Sequence, residues 1–257
     1  MRDDLGADVD VSRPVSRVVS LVPSLTEAIA ATDRDALVGA TEWCTHPADL
    51  HVRRVRGTKN PDVRAIVEIG PDLVVANQEE NRELDVRRLR EAGVPVWVTV
   101  TETVPQAIGA MERLFDEALG WGVPDWLREI RSRWDVPVPA AGPRVVVPIW
   151  RDPWMVVGRD TFTGDLLRRL GYVHVFADHA ERYPKVELAE IDRPDVDVVL
   201  LPDEPYVFTA DDGPEAFAQA PTRLVSGRLL TWYGPALLEA AGLTWPQDVQ
   251  VPPDAAP

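Results

Sequence analysis

The chain has 257 residues, 45% of them apolar and 27% charged, which describes a folded globular protein long enough for two lobes with a core each. Asp and Glu number 42 against 27 Lys and Arg, a net charge of −15, and a field of that sign argues against nucleic acid and anionic lipid as partners. A single cysteine, Cys44, excludes an intrachain disulfide, and no apolar run approaches the ~20 residues that span a bilayer.

Residues 1–10 are acidic and lack the apolar stretch of a signal peptide, so with Met1 as the natural start the expected location is the cytoplasm. Residues 17–22 form a short apolar run, and Ser24 with Glu27 has the spacing of a capping box, which predicts a helix over 25–31. A strand over 37–40 comes next, then a polar, broken segment over 41–60. Pro61 is expected to open a helix carrying Val63, Ile66, Val67 and Ile69. Leu73, Val74, Val75 and Ala76 make a continuous apolar run of the buried parallel-strand kind. A charged helix over 82–91 and a strand over 94–98 follow. Ile108, Met111, Leu114 and Phe115 place a helix over 104–119, and Trp126, Leu127, Ile130 and Trp134 place a packing stripe on a second helix over 125–134. Residues 136–143, with three prolines, read as a linker. The second half resumes the alternation, with strands over 145–149, 173–176, 197–201 and 222–225 and helices over 161–170 and 233–241. Residues 65–76 and 189–202 share an order of short helix, proline, aspartate and apolar run, which supports two similarly built lobes. A cleft between α/β lobes is a usual place for a ligand.

The motifs of common enzymes are absent, and where Gly158 and Gly164 are spaced like the glycines of a phosphate loop, Asp165 stands in place of the lysine. Cys44, His46 and His51, with Asp178 and His179 from the other half, allow a metal site to be drawn, although nothing in their spacing forces them to converge. His174 lies in an apolar run and reads as a core residue. The nine tryptophans say more, against five Phe and four Tyr. Trp43, Trp150, Trp154 and Trp232 fall in or beside loops leaving expected strands, as do Tyr183 and Tyr206. Flat rings there suit a large planar ligand, the alternative being that each plugs the edge of a core. Trp97, inside a strand, is core.

Residues 17–27 (RVVSLVPSLTE), 37–47 (LVGATEWCTHP), 57–75 (GTKNPDVRAIVEIGPDLVV) and 159–170 (RDTFTGDLLRRL) resemble the substrate-binding proteins of cobalamin, haem and iron-siderophore uptake by ABC transporters. So do 183–186 (YPKV), 204–206 (EPY) and 232–234 (WYG), and the likeness is strongest to the cobalamin-binding branch of these helical-backbone metal receptors. The resemblance implies the class III fold: an α/β lobe over 15–103, a rigid helical connector over 104–142 and a second α/β lobe over 143–251. It implies capture without catalysis, with no covalent cofactor, of a cobalamin, haem-like or siderophore chelate between the lobes. The matching aromatic positions are Trp43 or His46 in the first lobe and Trp154 and Tyr183 in the second. Trp150, Trp232, Tyr206 and Glu204 are further candidates, and Lys59, Arg151, Arg159 and Arg182 are cations able to meet carboxylates or phosphate on the ligand. Helix starts at Ser24 and Thr161 could add backbone N–H groups.

Departures from the family accompany the likeness. A secretion signal or lipid anchor is expected and not seen, and the glutamates that dock on arginines of a permease correspond to Arg64 and Ala189, with Glu187 and Glu190 close to the second. A reversed charge should repel the usual partner, which leaves the ABC permease open. An aromatic expected near Thr58 is missing, and the helix over 125–134 is only about 15 Å long at 1.5 Å per residue. Two alternatives stand beside this reading. One is an enzyme on the same fold with Asp152, Asp165, Asp178 or Glu204 as acid or base. The other is a direct divalent-metal binder using Cys44, His46, Asp178 and His179.

Overall fold

The apolar runs become two parallel sheets. A computed structural model describes residues 1–243, in which the chain divides into two compact units. Residues 1–101, 105–132 and 233–235 form the first, and 102–104, 133–232 and 236–243 belong to the second. The expected end of the second lobe at 251 lies outside the described residues.

In the first unit, strands β1 (Val18–Ser20), β2 (Leu37–Ala40), β3 (Arg53–Arg54), β6 (Leu73–Asn77) and β7 (Val96–Thr99) lie in the order β3-β2-β1-β6-β7, every pair parallel. All five residues of β6 are buried, as expected for a central strand covered on both faces. Helices α1 (Pro23–Ala30), α2 (Val63–Ile69) and α3 (Glu83–Glu91) make the crossovers. Val19, Leu21, Ile66, Val74, Leu89 and Val96 belong to one core cluster of this unit. A small antiparallel hairpin, β4 (Arg56–Gly57) with β5 (Asn60–Pro61), interrupts the segment before α2. After β7 the chain enters α4 (Val104–Arg113), a wider π-helical turn at Leu114–Leu119, and α5 (Asp125–Trp134).

The amino-terminal residues cover what would be the open edge of β7. Asp4 N–H donates to the Val98 carbonyl at 3.1 Å, and the buried Asp3 carboxylate accepts from Val98 N–H at 3.3 Å and from Arg90 Nη2 at 2.7 Å. Asp4 in turn accepts from Val100 N–H at 3.0 Å and pairs with Arg113. An unpaired strand edge invites pairing with another chain, and this acidic segment occupies it.

The second unit repeats the plan. Strands β8 (Arg144–Val146), β11 (Val173–His174), β12 (Val198–Pro202) and β13 (Thr222–Val225) take the order β11-β8-β12-β13, all parallel. With the short edge strand β3 set aside, both sheets have the order 2-1-3-4, and β1 with β6 and β8 with β12 are the matching central pairs. The same latch holds both central pairs. Asp72, just before β6, accepts from the Ser16 and Arg17 backbone N–H groups at 3.0 and 2.9 Å. Asp197, just before β12, accepts from Arg144 N–H at 2.6 Å. Strands β9 (Pro148–Trp150) and β10 (Met155–Val156) form an antiparallel ribbon leaving β8, while α6 (Phe162–Arg169), α7 (Leu188–Ile191), α8 (Gly227–Thr231) and α9 (Ala236–Ala240) complete the unit.

Several boundaries differ from the sequence reading, each for a local reason. Pro23 occupies the first turn of α1, so the helix starts earlier than 25 and its N-cap is Val22; Ser24 and Glu27 lie inside it, buried, and form no capping box. Pro61 pairs with Arg56 in the hairpin, and Asp62 caps α2 instead, accepting from Ala65 N–H at 3.0 Å. The expected strand over 145–149 breaks because Pro148 has no N–H to give to a ladder. The expected helix over 233–241 shrinks to α9, with Gly234 and Pro235 ahead of it, and α8 was not foreseen. Thr161 does cap α6, its Oγ1 accepting from Gly164 N–H at 3.1 Å.

Candidate functional site

Open parallel sheets present their carboxyl ends to ligands, and the strand order of each unit reverses between its central strands. In the first unit, the loop after β2 carries three of the sequence candidates. Thr41 and Cys44 are buried there, with the Cys44 thiol 3.0 Å from Thr26 Oγ1 and 3.1 Å from Thr41 Oγ1. Anchoring those two residues turns Glu42 and Trp43 outward, and Trp43 is 65% exposed, the most exposed of the large apolar residues. Its indole lies against the hairpin at Gly57, where an added Cβ would sit 2.6 Å from Asn60 Oδ1 and 3.2 Å from Trp43 Nε1 and would displace those side chains. His46 is exposed, with its Nδ1 3.3 Å from Thr45 Oγ1. Lys59, at the hairpin turn, donates through Nζ to the Glu79 carbonyl in the loop after β6.

Beneath this loop lies a buried polar network that the sequence reading missed. Asn77 Nδ2 donates to Thr99 Oγ1 at 3.2 Å and Thr101 Oγ1 at 3.0 Å, and Asn81 Nδ2 donates to the Leu21 and Thr58 carbonyls at 3.3 and 3.0 Å. Tyr233, also buried, places its hydroxyl 3.4 Å from Glu80 Oε1; burial first, then the Glu80 charge, hold its pKa well above the ordinary tyrosine value. A polar run directly after a fully apolar strand (Asn77, Gln78, Glu79, Glu80, Asn81) was the available signal for this network.

In the second unit, the β9–β10 ribbon carries a third extended segment on its other side. Gly158 N–H donates to the Arg182 carbonyl at 2.7 Å, Val156 N–H to the Pro184 carbonyl at 3.1 Å, and Val186 N–H to the Trp154 carbonyl at 3.1 Å. This places Arg182 and Tyr183, both half-buried, beside the ribbon. Trp150 is 46% exposed and meets Tyr206 edge to face, with centroids 5.4 Å apart. Arg151 bonds Asp212 and Glu215, the latter at 2.7 Å, and Tyr206 Oη donates to the other oxygen of Asp212 at 2.6 Å. Hydrogen bonding from Arg151 draws the Glu215 carboxyl below the usual range, and the same bond raises Arg151. Asp212 and Glu215 were not singled out from sequence, because they lie 61 and 64 residues from the arginine they hold.

Two expected ligand contacts are corrected by burial. Trp154 is a core residue: its ring stacks on Phe208 at 6.0 Å with 4° between planes, meets Phe217 at 5.4 Å, and lies under the Arg151 guanidinium at 5.4 Å. Those neighbours occupy the surface a planar ligand would need. Trp232 is also buried and hydrogen-bonds Glu204. Glu204 receives Thr231 Oγ1 at 3.2 Å; burial raises its pKa, assisted by the Asp203 charge and opposed by the bonds from Trp232 and Thr231. Arg159 pairs with Asp160 at 2.7 Å and Arg182 with Glu102 at 2.6 Å.

Two of the groups drawn for the alternatives, Asp165 and Cys44, have structural employment. Asp165 accepts from Val104 N–H at 2.9 Å, Arg168 at 2.6 Å and Arg169 at 2.8 Å; burial pushes its pKa up, but these bonds outweigh it and leave the carboxyl below its ordinary value. Burial raises the Cys44 pKa, which keeps it a thiol. Among the described residues no three of His, Cys, Asp and Glu converge as a metal site would need. No helix among the described residues is long and apolar enough to cross a membrane.

No family model matches the chain. It is 25% identical over 190 residues to a vitamin B12-binding protein of Vibrio parahaemolyticus, covering 70% of this chain and 68% of that one. It is 27% identical over 192 residues to an uncharacterized ABC transporter substrate-binding lipoprotein of Bacillus subtilis, covering 68% of this chain and 60% of the relative. Among solved structures, the periplasmic heme-binding protein RhuT of Roseiflexus superposes with a TM-score of 0.72 at 19% identity, covering 88% of this chain and 96% of that one. The relatives named here are named for binding or transport, none for catalysis. The chain is thus similar in sequence to vitamin B12-binding proteins and shares the two-lobed α/β fold of solved periplasmic vitamin B12- and heme-binding proteins.

Proposed function

We propose that this protein is a non-catalytic binder of a ring-shaped metal chelate of the cobalamin or haem class, held through the carboxyl-end loops of its sheets, and that it serves an ABC-type permease. The observation that carries the reading is the exposure of one tryptophan on the carboxyl-end loops of each unit, Trp43 and Trp150, in a chain similar to vitamin B12-binding proteins over most of its length. A protein gains nothing in folding by leaving an indole in water, and a flat apolar guest is what such a face recognises. Tyr206 would steady Trp150 through its edge contact, and His46 and Tyr183 would extend the two surfaces.

Titration of the intrinsic tryptophan fluorescence with cyanocobalamin, ferric haem and a ferric siderophore tests it. Saturable quenching by a ring chelate, weakened at least several-fold in Trp43→Ala and in Trp150→Ala, is the expected result. No saturation with any of the three removes the ligand class, and with it the transport role.

A further inference from the structure

Three arginines of the second unit that could greet an anionic ligand are already engaged. Arg151 faces two carboxylates, Asp212 and Glu215, and lies 3.6 Å from a third, Asp152. Arg159 is paired with Asp160 and Arg182 with Glu102. In the first unit, the Lys59 ammonium is taken by a backbone carbonyl, on a loop that carries Glu79 and Glu80. Along the ribbon and the segment beside it, three guanidiniums and Lys185 therefore stand among five carboxylates, and the exposed acids Asp152, Asp160 and Glu215 outnumber the exposed cations Arg159 and Lys185. The chain as a whole carries −15, so no long-range field offsets this local excess.

We infer that the site selects an uncharged, amide-bearing ring chelate and rejects one bearing free carboxylates, because its arginines are neutralised from within by Asp212, Glu215, Asp160 and Glu102. The inference rests on the reading that the loops around Trp150 meet the ligand. A dicarboxylate ring would have to displace a carboxylate already bonded to Arg151 or sit beside it, and like charges brought together are the usual means of rejecting a wrong partner. Amide-bearing side chains meet the same rim without that penalty, since both carboxylates and backbone carbonyls accept from amide N–H groups. Arg151 is a positioning residue here: with Asp212 and Tyr206 it fixes the loop against which Trp150 leans.

The test compares cyanocobalamin, ferric haem and ferric haem dimethyl ester, the last being the same ring with both carboxylates masked, by fluorescence quenching of the full chain at low and high salt. The expected result is that the ester binds about ten-fold or more tightly than the free acid, and that added salt narrows the gap by screening the repulsion. The variant Glu215→Gln, which removes one carboxylate from Arg151 and leaves the Asp212 contact in place, should raise affinity for the free acid several-fold while leaving the ester within two-fold or so. If the free acid binds as well as the ester, or loses affinity as salt rises, the inference falls while the ring-binding reading stands. If none of the three rings binds, the reading of the site fails and the inference goes with it.

Discussion

Replacing Trp154 by alanine separates a core role from a ligand role at the residue where sequence and structure disagree most. The ring is 9% exposed and packed against Phe208 and Phe217, with the Arg151 guanidinium over it. Truncating such a tryptophan costs about 3–5 kcal/mol, and for a chain of this size each kcal/mol lowers the melting temperature by about 2–4 °C. The second unit should therefore melt about 6–20 °C lower, read by far-UV circular dichroism on the full chain. Trp150→Ala removes a half-exposed ring whose edge contact with Tyr206 contributes about 0.5–1.5 kcal/mol, so its melting should stay close to the parent's. A Trp154→Ala protein that melts with the parent yet no longer binds a ring chelate would refute this assignment, and Trp154 would return to the ligand surface.

Gly227 opens α8 where a Cβ would lie 2.3 Å from Glu204 Cγ and 2.9 Å from the Glu204 carbonyl, so Gly227→Ala should destabilise by about 1–3 kcal/mol in urea unfolding. Gly109, inside α4 with nothing within 4 Å, is its contrast: Gly109→Ala should stabilise by about 0.5–1 kcal/mol, and similar values for the two would show that the close approach at Gly227 is not real. His174 is buried with no hydrogen bond on either ring nitrogen, and burial lowers its pKa below 6.5. The unfolded chain then takes up a proton that the folded one refuses. Stability should fall as pH drops from 7 through 6.5 towards the folded-state pKa, and His174→Leu should flatten that slope; parallel pH curves for the two proteins would contradict it. Deleting residues 1–10 uncovers β7, and light scattering should find concentration-dependent association, whereas a monomer indistinguishable from the parent would mean the edge is protected by something else.

The alternation of strands and helices was legible because fully apolar runs such as Leu73 to Ala76 and Val198 to Leu201 have few other places to go. The shared aspartate before each run was visible as part of a repeat, but not its purpose, since a latch on a backbone N–H 53 or more residues away leaves no local pattern. At Pro23 a proline overrules the side-chain signal of Ser24, whereas at α2 the Asp62 side-chain cap overrules the proline before it. Trp43 and Trp150 behaved as loop tryptophans facing solvent, whereas Trp154 and Trp232 did not. A loop ring is buried or exposed according to partners such as Phe208, Phe217 and Glu204, which come from distant segments. The pairing of Arg151 and Arg182 was invisible for the same reason.

Asp72 and Asp197 fasten each sheet at the end where strands begin. The opposite rim, where Trp43, Trp150 and their neighbours sit, carries no part of that fastening. Loops there can therefore be exchanged, lengthened or recharged without loosening the strands beneath them. An engineer wishing to retune what this protein grips has a chassis that is bolted down on the far side from the work.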